Sequence, residues 1–260
     1  MRHDDRVSPR SGAGPRSAGP VPLRPLTARS AILSLLLGSH PPAAEGSQLV
    51  AFGGQVGIKE SAVRAALTRM VAAGDLHRSN GSYRLSDRLL ERQRRQDEAM
   101  EVPAAAWDGT WCVAAVVSTG KDAASRLNLR RSMLGAHFGE LREGVWMRPD
   151  NLGWRPGDGI AADLEVLRAR PATDDRALAE RLFDPDSWAR RGRVLIETAG
   201  GAGNLRDRLT AFAAIVRHLT HDPLLPDELL PQDWPGGTLR SAYDDFRDEL
   251  LAGRAEQAAR

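Results

Sequence analysis

Residues 59–85 read KESAVRAALTRMVAAGDLHRSNGSYRL, two signals in a fixed order. In the first half, Lys59–Ala73, the residues Val63, Leu67, Met70 and Val71 fall at i, i+4, i+7 and i+8, which makes one apolar stripe on a helix. Gly74 supplies the turn that ends it. In the second half, Leu76-His77-Arg78-Ser79 and Ser82-Tyr83-Arg84-Leu85 alternate on either side of Asn80-Gly81. Asn-Gly suits a two-residue turn in which both residues take positive φ, so the stretch predicts a helix followed by a β-hairpin.

Upstream, Thr27 is a good N-cap for a helix over Ala28–Leu37, closed by Gly38. A loop with Pro41 and Pro42 follows. Ser47 then caps a short helix through about Phe52, and a turn over Gly53–Gly57 leads into the third helix. Three helices and then a hairpin is the order of a winged helix-turn-helix. Downstream, Arg88–Glu101 reads as a polar helical stretch rich in Arg, Gln and Glu, assigned with the winged helix to residues 26–101.

That order places the DNA chemistry. The third helix enters the major groove, and its face opposite the apolar stripe carries Ser61, Arg64, Thr68 and Arg69. Arg64 suits two hydrogen bonds to a guanine edge, while Lys59 and Ser61 reach a phosphate or base edge. Arg78 and Arg84 flank Asn80-Gly81, so the wing brings positive charge to the backbone or minor groove. Tyr83 alternates with these arginines and is expected to pack on the helices. Arg92, Arg94 and Arg95 either touch phosphates or form a solvated helix face.

Charge agrees with this placement. Residues 1–101 hold 15 Lys/Arg against 10 Asp/Glu, while residues 102–260 hold 21 against 24. The basic excess sits in the half assigned to DNA, although a third of the basic residues of that half lie in residues 1–25. Those first residues mix Arg, Pro, Gly and Ser without the apolar core of a secretory signal, and read as a disordered basic tail. The longest apolar run, Ala31–Leu37, is broken by Ser34, and no stretch reaches the length of a membrane span. A cytoplasmic location is expected. One cysteine, Cys112, excludes an internal disulfide and reads as a buried apolar residue.

At 260 residues, two or three domains are expected. Pro103 and the three following alanines read as a linker. Residues 110–117 form a near-continuous apolar run, as in a strand buried on both faces. A helix over about Ala123–Phe138 follows, then a strand over Gly144–Arg148 stopped by Pro149, and a third strand over Asp163–Arg170. This β-α-β start suggests a small ferredoxin-like domain over residues 105–171. Residues 172–260 read as mainly helical, interrupted by Gly-rich and Pro-rich turns. Val194-Leu195-Ile196 is a strand-like run there, and Gly200–Gly203 a flexible connection. Leu178, Leu182, Phe212, Ile215 and Leu219 supply a helical core or a dimer face, and Trp234 is a packing anchor. The fold class is α+β.

The run Trp107-Asp108-Gly109-Thr110-Trp111, the helix with Leu129-Arg130 and Leu134, and Phe138-Gly139-Glu140-Leu141-Arg142-Glu143-Gly144-Val145-Trp146-Met147-Arg148-Pro149 resemble the central domain of the PaaX family. Asp222-Pro223-Leu224-Leu225-Pro226 and Leu229-Leu230-Pro231-Gln232-Asp233-Trp234-Pro235-Gly236 resemble that family's C-terminal signature. The likeness runs from Leu26 to about Leu251. It implies a homodimeric repressor of phenylacetate or related aromatic-acid catabolic genes. Such a repressor binds an inverted-repeat operator in double-stranded DNA and is released by an acyl-CoA such as phenylacetyl-CoA. The last segment then serves dimerisation or effector binding.

The family's central domain is similar to the Cas2 nucleases, so a metal-dependent nuclease is the alternative. It needs an acidic residue at the end of the first strand. Trp111–Val117 carries none; Asp108 precedes it and Asp122 follows. His218 and His221 offer two imidazoles, although histidines near a helix C-terminus commonly serve its dipole. Gly200–Gly203 lacks the spacing of a dinucleotide loop. No Ser/His/Asp or Cys/His set stands out, and no metal or cofactor is expected. Arg190, Arg191 and Arg193 are either a solvated turn or partners for effector phosphates.

Overall fold

The computed structural model describes residues 23–101 and 106–258, with side chains as far as Gly253. Most of the expected basic tail and the linker at Pro103 lie outside the described residues. Helix α1 (Ala28–Leu37) begins where Thr27 Oγ1 accepts the Ser30 amide at 3.1 Å and Ser30 Oγ accepts the Thr27 amide at 2.8 Å. Strand β1 (Ala43–Glu45), helix α2 (Gly46–Gln55), helix α3 (Glu60–Ala72) and strands β2 (Leu76–Ser79) and β3 (Ser82–Leu85) follow. The three strands pair antiparallel in the order β1-β3-β2. Helix α4 (Asp87–Met100) is tied back to the start of the chain. Its buried Gln93 donates from Nε2 to the carbonyls of Leu37 and Ser39, each at 3.0 Å.

Two expectations are corrected in this region. The segment after Pro41-Pro42 is not only loop, because Ala43–Glu45 pairs with Arg84, Tyr83 and Ser82 of β3. Three residues are too few to show a period; the partner strand makes the strand. Helix α2 begins after Glu45, not Ser47, and runs through Gly53 and Gly54 instead of turning there. A Cβ at Gly53 would lie 2.4 Å from Val63 Cγ2, so the glycine lets α2 lie against α3.

Strand β4 (Trp111–Val116), helix α5 (Ala123–Gly135), strands β5 (Gly139–Arg142) and β6 (Val145–Pro149), short helix α6 (Asp158–Ala161) and strand β7 (Leu164–Ala169) come next. Their sheet is antiparallel throughout, in the order β5-β6-β4-β7. As expected, β4 is buried on both faces. Cys112 and Ala114 pack with Met133, Phe138 and Trp146 on one face. Trp111 packs with Met147, Leu178, Leu225 and Leu229 on the other. Helix α5 stops at Gly135, short of Phe138, because β5 follows under Leu182; a Cβ at Gly139 would sit 2.7 Å from Leu182 Cβ. Pro149 lies within β6, opposite Trp111, so it closes the strand from inside.

Helices α7 (Asp175–Phe183), α8 (Pro185–Gly200), α9 (Leu205–Leu219) and α10 (Gly236–Ala258) complete the chain, with a 3-10 turn at Asp227–Leu229. Val194-Leu195-Ile196 lies inside α8 and is not a strand. Four-residue spacing from Trp188 through Gly192 keeps one face of that helix against the core. Gly200 ends α8 and Gly201 caps it. Trp188 stacks on Trp234 at 4.2 Å and on His218 at 4.1 Å.

The largest apolar cluster joins both ends of the chain. Ile32, Leu36, Leu49, Val63, Leu67, Leu76 and Leu85 share it with Trp188, Leu195, Leu209, Ile215, Leu219 and Leu239. Arg206 of α9 strengthens the join by donating to the carbonyls of Val56 at 2.9 Å and Leu26 at 3.2 Å. Among the described residues, no helix is long and apolar enough to cross a membrane.

Candidate nucleic-acid interface

Helix α3 buries Val63, Ala66, Leu67 and Met70 and leaves Ser61, Arg64, Thr68 and Arg69 exposed. Lys59 is exposed at its N-cap position. The helix is placed at both ends. Before it, Gly57 takes φ +70° and the Ile58 amide donates to the Gly53 carbonyl at 2.8 Å. After it, Gly74 takes φ +69° and the Asp75 amide donates to the Met70 carbonyl at 2.8 Å. The Asp75 side chain is only 7% exposed. It receives Arg29 of α1 at 2.8 Å on one oxygen and Arg88 of α4 on the other. One carboxylate therefore fixes the end of α3 between α1 and α4.

The exposed face is not idle. Arg64 Nε pairs with Glu60 Oε1 at 2.6 Å, one helical turn back, and both side chains are solvated. Thr68 Oγ1 donates to the Arg64 carbonyl at 3.1 Å, which leaves its lone pairs free to accept. An exposed i,i+4 pair contributes about 0.3–0.5 kcal/mol. A bidentate arginine–guanine contact is worth about 1–3 kcal/mol. The pair is therefore weak enough to be exchanged for another partner.

The hairpin supplies the second patch. Asn80 and Gly81 take φ +48° and +83°, as the sequence requires of a tight two-residue turn. Gly46 donates to the Gly81 carbonyl at 3.0 Å and pins the turn to the start of α2. Asn80, Arg78 and Arg84 are exposed. The Arg78 guanidinium lies 5.7 Å from the centre of the half-buried Tyr83 ring, which packs against the main core.

Other charged groups separate clearly. Arg94 and Arg95 both pair with Glu91, so they form a self-satisfied helix face. Arg190 and Arg191 are exposed on α8, and Arg193 donates to the Asp233 carbonyl at 3.0 Å. Sequence reasoning overlooked Glu60, Asp75, Arg29 and Arg88. Of these, only Glu60 carried a local signal, its four-residue spacing from Arg64.

The carboxylates of the nuclease alternative serve turns. Asp108 accepts the Thr110 amide at 2.9 Å, and hydrogen bonds from Thr110 hold its carboxyl below the usual range. Asp122 accepts the Ser125 amide at 2.7 Å and caps α5. Among the described residues, no group of three or more His, Cys, Asp or Glu is gathered to hold a metal. His218 is buried, with Nε2 3.1 Å from the Trp188 carbonyl, and burial pushes its pKa down to about 4. His221 Nδ1 instead faces the Arg217 carbonyl at 2.7 Å.

Comparison with known proteins finds matches in three stretches of the chain. The family model described as PaaX-like protein matches residues 27–89, the PaaX protein central Cas2-like domain matches 104–163, and the PaaX-like protein C-terminal domain matches 203–260. The transcriptional repressor PaaX of Escherichia coli (strain K12) is 27% identical over 217 residues, covering 71% of this chain and 67% of that protein. A solved structure, the uncharacterized protein Rv0674 from Mycobacterium tuberculosis, matches with a TM-score of 0.78 at 50% identity, over 88% of this chain and 98% of that one. Three models matched in chain order, over more than half of its length, show that the chain belongs to the PaaX family.

Proposed function

We propose that this protein is a DNA-binding transcriptional repressor that reads an inverted-repeat operator as a homodimer. Residues 26–101 act as a winged helix-turn-helix with its helical extension. The observation that carries this reading is the outer face of α3, with Lys59, Ser61, Arg64, Thr68 and Arg69, joined through a tight turn to a hairpin with Arg78, Asn80 and Arg84. A major groove about 12 Å wide admits such a helix, and the hairpin arginines suit the flanking phosphates. The repressor named among the relatives supports the same reading.

Residues 105–171 form the Cas2-like, ferredoxin-like part, supported by the β5-β6-β4-β7 order of its sheet, with its first and third strands at the centre. Residues 172–260 serve dimerisation and effector binding. The regulated genes are those of phenylacetate or related aromatic-acid catabolism, and the protein works in the cytoplasm, without a catalytic step. An acyl-CoA, phenylacetyl-CoA by default, favours an arrangement of the two half-site readers that no longer fits the operator spacing.

The test is an anisotropy titration against DNA from the gene's own upstream region at fixed salt, with and without phenylacetyl-CoA, and with Arg64→Ala. Tight binding weakened by both supports the whole reading. Binding indifferent to the thioester removes the effector. Absence of any sequence preference removes the repressor.

A further inference from the structure

A cavity of about 340 Å3 opens where α1, α9 and α10 meet, a volume within the usual range for small-molecule sites. Its walls are apolar, with Leu33 and Leu37 from α1, Phe212 and Val216 from α9, and Phe246 and Leu250 from α10. Phe212 and Phe246 stack at 4.2 Å with an interplanar angle of 8°, so part of the wall is a rigid aromatic pair. Arg24, Arg92 and Arg217 also line it. Two further arginines there, Arg29 and Arg247, are paired with Asp75 and Asp244. Arg24, Arg92 and Arg217 have no carboxylate partner among the described residues.

Burial, followed by the charges of Arg24 and Arg92, disfavours the cation at Arg217; burial, followed by Arg29, does the same at Arg92. Gathering like charges beside an apolar hollow is unfavourable unless something negative joins them.

We propose that this cavity binds an amphipathic anion, its flat apolar body against Phe212 and Phe246 and its carboxylate or phosphate groups on Arg24, Arg92 and Arg217. This gives the effector of the preceding section a place, and it rests on that reading for the consequence of binding. Helix α1 is both a wall of the cavity and the first helix of the DNA-reading part, so an occupant at this seam acts on the reader directly. The chain's own residues 1–22 are a poor occupant for the rim, since they carry four arginines against two aspartates.

Calorimetric titration of the full chain with phenylacetate, coenzyme A and phenylacetyl-CoA tests the site. Saturable binding of phenylacetate or its thioester is expected. Arg217→Gln or Arg92→Gln should weaken it roughly tenfold or more, and Ala213→Phe, which fills the cavity, should abolish it. Without ligand, Arg217→Gln should still bind operator DNA within about twofold of the parent. Preference for phenylacetate assigns the rim to a carboxylate, and preference for the thioester assigns it to phosphates. Thioester binding unchanged in Arg217→Gln and Ala213→Phe overturns the site while leaving the effector reading intact. Equal affinity for coenzyme A and the thioester overturns it too, since the apolar walls would then contribute nothing. So does binding that emerges only when residues 1–22 are deleted. If none of the three probes binds a chain that still holds operator DNA, the site falls and the DNA reading stands.

Discussion

Arg240 of α10 meets Asp222 at 2.7 Å, with side chains only 8% and 3% exposed. The same guanidinium donates from Nε to the Ala99 carbonyl in α4 at 3.0 Å. Asp222 in turn accepts the Leu224 amide at 2.9 Å, and its carbonyl lies 2.7 Å from His137 Nδ1, just past α5. The pair thus joins α4, the central sheet's edge and the last helix. Removing one partner strands the other's charge, so Arg240→Met should cost about 3–5 kcal/mol in urea unfolding. Asp222→Asn should cost a comparable amount, and the double variant less than the two singles together.

Packing of α2 on α3 gives a second prediction. Gly53→Ala pushes a methyl into Val63 Cγ2, and an overpacked core site costs about 1–3 kcal/mol. Thermal unfolding should shift down by several degrees, and adding Val63→Ala should recover part of the loss. If Gly53→Ala alone leaves the melting curve unmoved, the close approach of the two helices is wrong.

On the proposed reading, Glu60 competes with DNA for Arg64. Breaking their exposed pair with Glu60→Gln frees the arginine, and operator affinity should rise about twofold, the equivalent of 0.3–0.5 kcal/mol. A gel shift beside the parent protein reads this. A fall in affinity would place Glu60 itself on the DNA.

The hairpin arginines should behave differently. Arg78→Ala with Arg84→Ala is expected to weaken operator and scrambled DNA alike and to reduce the salt-dependence slope by about 2. Titrations across a series of salt concentrations measure the slope. A loss confined to the operator would mean that the hairpin reads bases.

Stability should fall in mild acid. The folded pKa of His218, near 4, lies below the ordinary 6.5, chiefly through burial. Between those values the unfolded chain takes up a proton that the folded one refuses. Stability is therefore full above about pH 6.5 and declines toward pH 4, by an amount on the order of 3 kcal/mol. His137, lowered by burial and then by Arg148, adds in the same direction. Urea midpoints at pH 7, 5.5 and 4.5 check the trend, and His218→Phe should flatten it.

Elements with local causes were readable from sequence. Thr27 caps α1 through its own neighbour Ser30, and Asn80-Gly81 turns the hairpin with its own dihedrals. Elements with remote causes were not. Strand β1 exists because Tyr83 and Arg84 lie beside it, α2 continues because Val63 needs a glycine, and β5 starts where Leu182 presses on Gly139. The apolar triplet Val194–Ile196 fits a strand or a helix equally well until Trp188 and Gly192 show which face is buried. The same division holds for the sites. The stripe on α3 tells which side of that helix faces water, so Arg64 and Arg69 follow from spacing. Arg24, Arg92 and Arg217 belong to distant segments, and only the folded chain brings them to one cavity.

The apolar cluster shared by α1–α3 with α8–α10 makes residues 26–101 something other than a detachable cassette. Cutting residues 26–101 away would unroof Leu209, Ile215 and Leu239 on one side and Leu36, Leu49 and Leu76 on the other, and both pieces would turn sticky. Transplanting that segment onto a foreign scaffold is therefore a poor route to a regulator with a new target. On the proposed reading, retargeting proceeds one side chain at a time along the outer face of α3, where exchanges leave the shared interior untouched.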